Sequence, residues 1–231
     1  MVINPASTKH CYIRITPQSL PCEVKDETIK INAGCSGSKI LQECLSYNLT
    51  GLEFIAGVPT SLGGMLSMNF GCYGQNLSDC LVRVRVLNRQ GEDFWLKKDE
   101  LMFDYRNSTF LKKNLIILEA ILQLKKFNSV IIRDNIKTFI QKRLKTQPLG
   151  SRTFGSIFKN PPDKFSGQIL DSLGYKGKKY KNLQISEKHA NFLINTGNSE
   201  FDDIVEFINM IKEDVYQKTK IKLQPEVIII K

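Results

Sequence analysis

The sequence lacks a long uninterrupted apolar run and a basic segment at its start, and each shortage excludes a class of protein. A membrane-spanning helix needs roughly 18 or more consecutive apolar residues, and no window of the 231 residues approaches that length. Residues 1–5 do not begin a basic segment followed by an apolar one, so the sequence does not predict secretion. We therefore expect a cytoplasmic protein with no membrane partner.

Metal-site patterns are also scarce. No C-x-x-C occurs, and the two histidines, His10 and His189, are far apart in sequence. Cysteines without such paired spacings are typical of buried, reduced thiols. Their pattern disfavours a zinc site or a disulfide framework without excluding either. We expect no metal. The cysteines are Cys11, Cys22, Cys35, Cys44, Cys72 and Cys80.

Charge of one sign is abundant instead. The chain carries 33 lysines and arginines against 23 acidic residues, a formal net charge of +10, which favours anionic partners. The basic residues cluster at 125–145 and 176–181, without the interleaved aromatic residues of single-strand binders. Solvated surfaces are therefore the favoured interpretation. Nucleic-acid binding, which rests on charge alone, is a less favoured hypothesis, and we expect no nucleic-acid partner.

Predicted strands and helices interleave without regular β-α alternation, so the sequence indicates an α+β fold. A domain boundary is expected near residues 149–150, where Gly, Pro and Ser cluster. Strands are predicted at 11–15, 28–32, 80–87, 94–96, 183–185 and 191–194, with a buried strand within 114–124 and an apolar strand after Glu226. Helices are predicted from Ser36 or Ser38 to 48, at 128–146 and 163–173, and after a capping-box-like segment at 199–202, with Ile204, Ile208, Ile211 and Val215 on one face.

A glycine-rich segment spans residues 57–74. Glycines allow backbone N–H groups to approach an anion closely, and a helix beginning near Ser61 would add its positive end. The segment is neither a P-loop nor a G-x-G-x-x-G. An irregular turn and a phosphate cradle are equally favoured interpretations.

Single polar side chains stand out in two further segments. Arg106, beside Tyr105, presents a guanidinium suited to a carboxylate or phosphate, although a surface salt bridge is the favoured interpretation of this residue taken alone. Ser156 has no histidine and aspartate partners that would make it a hydrolase nucleophile. A held hydroxyl can instead give a proton to a carbanion. Judged by itself, Ser156 is better interpreted as a turn hydroxyl bonded to the backbone.

Three more residues belong with this group. Lys159 and Asn160 follow Ser156 closely and are suited to the phosphate and polar edges of a ligand. Glu226 stands at the head of an otherwise apolar terminal segment, where a buried carboxylate needs a partner.

In order and spacing, these segments resemble the UDP-N-acetylenolpyruvoylglucosamine reductase (MurB) family. The matching motifs are A-G-V-P-T-S-L-G-G at 56–64, M-N-F-G-C-Y-G at 68–74, Y-R-N-S-T-F at 105–110, G-S-I-F-K-N-P at 155–161, S-E-K-H-A-N-F at 186–192 with N-T-G at 195–197, and P-E-V at 225–227. The short interval between Arg106 and Ser156 resembles the compact type of the family.

The resemblance implies a partial FAD-binding domain of the PCMH/VAO-like kind, followed by a smaller α+β substrate-binding domain. The expected limits are 1–112 for an N-terminally truncated FAD-binding domain, 113–149 for a connecting strand and helix, and 150–231 for the substrate-binding domain, whose last strand carries Glu226. The family's G-G-S-N loop for the flavin pyrophosphate has no counterpart in the sequence.

The resemblance also implies chemistry. FAD is reduced by NADPH, the co-substrate, and passes hydride to the enolpyruvyl group of a UDP-sugar, in peptidoglycan synthesis. Arg106, Ser156 and Glu226 match the catalytic positions, and Tyr105, Lys159 and Asn160 are expected to bind substrate. The expected cofactor-binding residues are Gly57, Val58, Pro59, Ser61, Gly63, Gly64, Asn69, Gly71, Tyr73 and Gly74.

Three residues depart from the family pattern. Thr60 replaces a glycine, and Phe70 and Cys72 replace alanines, so we expect added bulk near the flavin. Together with the missing loop, this leaves an alternative open: a weak or inactive remnant that binds a UDP-sugar without flavin. A separate polypeptide supplying the missing N-terminal portion is a further alternative that the sequence leaves open.

Overall fold

A computed structural model describes residues 1–6, 12–17 and 22–230 of the chain. The chain divides into two compact units, one comprising Ile13–Lys142 and the other Met1–Tyr12 with Arg143–Lys231. Among the described residues, no helix combines the length and apolar character needed to cross a bilayer.

The strands and helices are as follows. The strands are β1 (Val2–Ile3), β2 (Cys22–Lys25), β3 (Thr28–Asn32), β4 (Leu49–Thr50), β5 (Gly71–Cys72), β6 (Gln75–Asn76), β7 (Leu81–Leu87), β8 (Asp93–Lys97), β9 (Phe103–Asp104), β10 (Asn107–Ser108), β11 (Ile116–Gln123), β12 (Lys125–Lys126), β13 (Thr153–Ser156), β14 (Lys179–Tyr180), β15 (Leu183–Ile185), β16 (Phe192–Asn195) and β17 (Ile229–Ile230). The helices are α1 (Gly37–Ser46), α2 (Leu62–Ser67), α3 (Thr109–Lys112), α4 (Ser129–Thr146), α5 (Ser166–Ser172) and α6 (Phe201–Thr219).

The unit Ile13–Lys142 is built on a five-stranded antiparallel sheet in the order β2-β3-β11-β7-β8. Ala120 on the central strand β11 pairs with Ile31 on one side and Val84 on the other, and all three side chains are fully buried. Because strand side chains alternate between faces, this row defines the core face. The helices α1 and α2 contribute buried Ile40, Leu62 and other residues to the same core.

The second unit is built on a four-stranded antiparallel sheet, β13-β16-β15-β14. Helix α6 belongs to the same core through Phe207, Ile208, Ile211 and Val215, which are buried, whereas Ile204 is half-buried. The spacing of these residues places them on one stripe of the helix, as the sequence predicts. Strand β1 pairs in parallel with β17 at the far end of the chain.

Most predicted elements are confirmed. The predicted strands at 28–32, 80–87, 94–96, 183–185 and 191–194, the strand within 114–124, and the helix at 128–146 correspond to β3, β7, β8, β15, β16, β11 and α4. Ser36 is the N-cap of α1, with its hydroxyl accepting from Lys39 N–H at 3.3 Å. The helix ends at Ser46, two residues before the predicted end.

Three predictions of local structure are wrong. Residues 12–15 form no strand, and the backbone that continues from them at 15–17 lies against Gly34, where an added Cβ would be 2.8 Å or less from backbone atoms of these three residues. Cys11 lies outside the described residues. The helix predicted from 163 begins at Ser166, whose hydroxyl donates to Lys159 O at 2.5 Å. The cap of α6 is Glu200 instead of Ser199, since Glu200 N–H donates to Asp203 Oδ2 at 3.3 Å.

Two further differences concern the chain ends. Glu226 precedes β17 by three residues and lies in no strand, because the adjacent Pro225 forms only an isolated bridge with Phe158. Strand β1 pairs within the unit that contains Arg143–Lys231, so the structure does not group it with the remainder of 1–112. The functional assignment of 1–112, 113–149 and 150–231 stays a prediction.

Candidate functional site

A cavity of about 600 Å³ opens in the unit Ile13–Lys142, on the glycine-rich segment. Its wall is formed by residues 58–61 with Gly63 and Gly64, by residues 36–38 at the start of α1, and by residues 13–15 and 115–117. The predicted cofactor residues Val58, Pro59, Ser61, Gly63 and Gly64 therefore line one space. Gly57, which precedes them, adopts φ +77°, a conformation that favours glycine.

Two helix N-termini meet beside this cavity. Ser61 is the N-cap of α2 and forms a bridge with Ser36, the N-cap of α1. Gly37 N–H donates to Thr60 O at 3.1 Å, and Leu62 N–H donates to Cys35 O at 2.9 Å. The bonds hold the two helix starts side by side, so that their positive ends face a common region suited to an anion. Of these residues, Ser36 was predicted only as a helix cap; its place in the cavity wall depends on this pairing.

Two glycines of this wall, Gly63 and Gly64, are required by close packing. A Cβ at Gly63 would lie 3.1 Å from Ala33 Cβ, and one at Gly64 would lie 2.7 Å from Thr60 Oγ1. Only hydrogen atoms fit at these positions without a shift of the neighbours. The conformation of this segment therefore depends on glycine at these two positions.

Arg106 is joined to the end of the glycine-rich segment. Its guanidinium Nη2 donates to Gly71 O at 3.2 Å and lies over the rings of Phe70 and Tyr105. In the same region Asn69 Nδ2 donates to Asp104 O at 3.2 Å. The structure therefore brings together predicted cofactor residues and two predicted substrate-handling residues.

Asn69 carries an unsatisfied polar atom. The residue is 9% exposed, and its Oδ1 is buried without a hydrogen-bond partner among the described residues. A buried acceptor without a donor is costly, so such an atom is suited to an N–H group of a ligand. This feature, the glycine-lined wall and the paired helix N-termini all fit a cofactor that combines an anionic group with ring N–H donors.

The three departures from the family pattern have different surroundings. Thr60 lines the cavity. Phe70 packs against the core and stacks with Phe54 at a ring-centroid distance of 6.2 Å, and Cys72 Sγ lies 3.3 Å from Phe54 O. Phe70 and Cys72, which were expected to add bulk near the flavin, thus pack against the core. Tyr73, predicted to contact the cofactor, packs on Phe139 of α4 at 5.1 Å.

Ser156 and Glu226 belong to the second unit, and the structure brings their segments together. Ile157 O accepts from Glu226 N–H at 2.8 Å, and Phe158 bridges Pro225. Ser156 ends β13 directly after a bulge at Gly155, where φ is +89°. Bulges re-aim the side chains that follow them. No hydrogen bond from Ser156 Oγ is found within the described ranges, which disfavours the turn-hydroxyl interpretation.

Lys159 and Asn160 continue from this segment. Lys159 N–H donates to Gln224 O at 2.9 Å, and its side chain is half-buried. Asn160 Oδ1 accepts from Ser166 N–H at 3.0 Å at the start of α5. Asn160 therefore also shapes the loop, a role that the sequence did not predict. Asn191, buried beside Phe158, was likewise missed, although it lies within a matched motif.

Burial shifts the pKa of several side chains in both units. Burial lowers the pKa of His189, and the nearby Lys176 charge adds to the effect. Burial also raises the pKa of Cys44 to about 12. Cys22, Cys35, Cys44, Cys72 and Cys80 are free thiols, and no cluster of three or more metal-ligating side chains is found among residues 1–6, 12–17 and 22–230.

The fold and the cavity fit a flavin-dependent oxidoreductase, and comparisons with known proteins show that class. Residues 17–97 match the FAD binding domain family, and residues 147–230 match the UDP-N-acetylenolpyruvoylglucosamine reductase, C-terminal domain. The chain belongs to the UDP-N-acetylenolpyruvoylglucosamine reductase family.

Individual relatives show how much of the chain is shared. The reductase of Thermotoga sp. (strain RQ2) is 38% identical over 206 residues, which are 89% of this chain and 68% of the relative. That of Clostridium tetani is 38% identical over 208 residues, 90% of this chain and 68% of the relative. The crystal structure of the Thermus caldophilus reductase has a TM-score of 0.78 and 27% identity, covering 90% of this chain and 74% of that one.

These comparisons confirm the predicted family, the α+β fold with an FAD-binding domain, and FAD as the cofactor. The individual roles of the site residues stay predictions.

Proposed function

We propose that this chain reduces UDP-N-acetylglucosamine enolpyruvate to UDP-N-acetylmuramate with NADPH, as a cytoplasmic step of peptidoglycan precursor synthesis. The proposal is carried by one observation: the Ser156 hydroxyl and Glu226 lie on segments that are hydrogen-bonded to each other, with the hydroxyl left available. Family membership supplies the substrate class.

FAD would be held through the cavity wall, with the helix N-termini and glycine N–H groups facing its anionic part and Asn69 Oδ1 accepting from a ring N–H. When bound, FAD supplies a hydride that originates from NADPH and is added at C3 of the enolpyruvyl group. The residues proposed for this role are Gly57, Val58, Pro59, Ser61, Gly63, Gly64, Asn69, Gly71, Tyr73 and Gly74.

Side chains would carry out the remaining steps, which are protonation, charge stabilisation and substrate binding. Hydride addition at C3 leaves negative charge at C2 and its carboxylate, and Ser156 would donate the proton that C2 needs. Arg106 would stabilise the developing charge through its guanidinium, and Glu226 would polarise the same end of the substrate. Tyr105, Lys159 and Asn160 would bind the nucleotide-sugar, with the Lys159 ammonium suited to its phosphates.

Ser156→Ala tests the proposal. We expect the variant to keep its flavin and to lose turnover by on the order of 100- to 10,000-fold, because one general acid is removed. The measurement is NADPH oxidation in the presence of the enolpyruvyl substrate, with bound FAD followed by its absorbance.

Ser172→Ala is a matched control, because Ser172 is an exposed serine of the same unit whose hydroxyl donates to Ile169 O. Equal turnover in Ser156→Ala and wild type would contradict the role of Ser156. A wild-type protein that stays colourless with FAD, yet binds the UDP-sugar in calorimetry, would favour the alternative of a flavin-free binding remnant.

A further inference from the structure

The side chain of Asn191 forms a two-point contact with the backbone of one residue near Ser156. Asn191 is 3% exposed. Its Oδ1 accepts from Phe158 N–H at 3.0 Å, and its Nδ2 donates to Phe158 O at 2.8 Å. A carboxamide presents one acceptor and one donor side by side, as a peptide group of a neighbouring strand does.

The backbone around Phe158 is tied to both partners of the proposed site. Asn191 O accepts from Ile157 N–H at 2.9 Å, and Ile157 O accepts from Glu226 N–H at 2.8 Å. The segment from Ser156 to Lys159 is therefore bonded to Asn191 and to the segment that carries Glu226.

We infer that Asn191 is a positioning residue, which fixes the Ser156–Lys159 backbone relative to Glu226 by satisfying both polar groups of Phe158. The inference rests on the proposed function for its catalytic consequence. No other side chain of similar size offers this donor and acceptor pair: Leu offers neither group, and an ionised Asp offers two acceptors.

Asn191→Asp is the informative variant. An ionised Asp can still accept from Phe158 N–H, but its second oxygen then faces Phe158 O. Burial raises the pKa of such a carboxyl group, and the protonated form restores the donor. We therefore expect kcat to fall at least roughly tenfold at pH 8, the loss of one buried hydrogen bond, and to recover relative to wild type as the pH is lowered.

His189 is the titratable side chain bonded to this residue, since its Nδ1 accepts from Asn191 N–H at 3.2 Å. Because wild type carries the same histidine, the ratio of variant to wild type at each pH isolates the carboxyl group. Because protonation of the carboxyl group would also restore folding, kcat is normalised at each pH to the folded fraction measured by circular dichroism. A merely structural defect would leave this normalised kcat at the wild-type value at every pH.

Hydrogen exchange on the flavin-free protein gives a second readout. In Asn191→Asp at pH 8 we expect the amides of Phe158 and Glu226 to exchange at least roughly tenfold faster than in wild type. Tyr175→Phe is the matched control, because it removes another partly buried hydrogen bond in the same unit, from Tyr175 Oη to Asp214 Oδ2 at 2.7 Å. This control should leave both amides and kcat unchanged.

Wild-type exchange rates at Phe158 and Glu226 in Asn191→Asp, or equal effects in Tyr175→Phe, would overturn the inference. If wild type itself shows no turnover, the proposed function fails, and the exchange rates alone decide whether Asn191 positions this segment.

Discussion

Arg106 lies in the left-handed backbone region, with φ +52° in the two-residue turn between β9 and β10. A residue with a Cβ adopts this conformation at a cost of about 1 to 2 kcal/mol, and glycine does so freely. Strain that is retained at a candidate site points to the side chain, because a glycine would relieve it. The group that a glycine would lose here is the guanidinium beside Gly71 and Phe70.

Comparing Arg106→Gly with Arg106→Ala isolates this strain. Both variants lose the guanidinium, so both should lose turnover. The glycine variant should be more stable than the alanine variant by about 1 kcal/mol, because only alanine keeps the left-handed penalty. Chemical denaturation gives the free energies of unfolding, and NADPH oxidation gives the activity.

Lys220 supplies the control for this pair. It is a basic residue at φ +62°, at the C-terminus of α6 and outside the proposed site. Lys220→Gly should exceed Lys220→Ala in stability by a similar amount with activity unchanged. Equal stabilities of the two Arg106 variants would show that the turn relaxes without strain.

At the scale of elements, the start of α2 depends on the pairing of Thr60 with Gly64. An alanine in a helix normally stabilises it by about 0.5 to 1 kcal/mol relative to glycine. At Gly64, however, the new Cβ would lie 2.7 Å from Thr60 Oγ1. Thr60 is the residue that replaces a glycine of the family pattern. This departure therefore decides which residue position 64 tolerates at the start of α2.

The effect of Gly64→Ala on stability should therefore change sign with the residue at position 60. We expect it to destabilise the wild-type chain and to stabilise Thr60→Gly, with an interaction energy of about 1 kcal/mol in the double-mutant cycle. Thermal or urea unfolding of the four proteins measures it.

Gly63→Ala is the control in the same helix turn. Its Cβ would meet Ala33 at 3.1 Å rather than Thr60, so Thr60→Gly should not rescue it. Additive effects of Gly64→Ala and Thr60→Gly would contradict the coupling.

At the scale of the whole molecule, few groups govern the pH dependence of stability near neutrality: two histidines and the N-terminal amine, whose pKa burial lowers from its usual 8.0. His189 is half-buried beside Phe192, with ring centroids 4.9 Å apart, and burial lowers its pKa from the usual 6.5. The unfolded chain therefore binds a proton at this residue more readily than the folded chain does.

The free energy of unfolding should consequently fall as the pH drops through about 6.5, and level off once the folded chain is also protonated. The slope contributed by His189 cannot exceed about 1.4 kcal/mol per pH unit, the value for one proton. Urea unfolding between pH 8 and pH 5, compared with His189→Gln, measures the contribution. His10→Gln in both backgrounds removes the second histidine, and identical slopes with and without His189 would contradict the assignment.

The sequence by itself determined the family, most secondary structure and the candidate side chains. The period-two pattern at 80–87, the apolar run within 114–124 and the helical stripe of Ile204, Ile208, Ile211 and Val215 predicted β7, β11 and α6. These patterns can be read from the sequence because which face of a strand or helix is apolar is a local property of the chain. The ordered motifs around Gly63, Arg106 and Ser156 identified the family for the same reason: a motif is read from neighbouring residues.

Only the tertiary structure decided which groups are neighbours across long intervals. The pairing of Ser36 with Ser61, the bond of Arg106 to Gly71 O, the contact of Asn191 with Phe158, and the placement of Glu226 outside a strand all join distant segments. Residues 12–15 read as a strand from their composition, yet strand formation requires a partner backbone. The backbone of residues 15–17 lies against Gly34 instead, and that contact depends on packing, which no local pattern records.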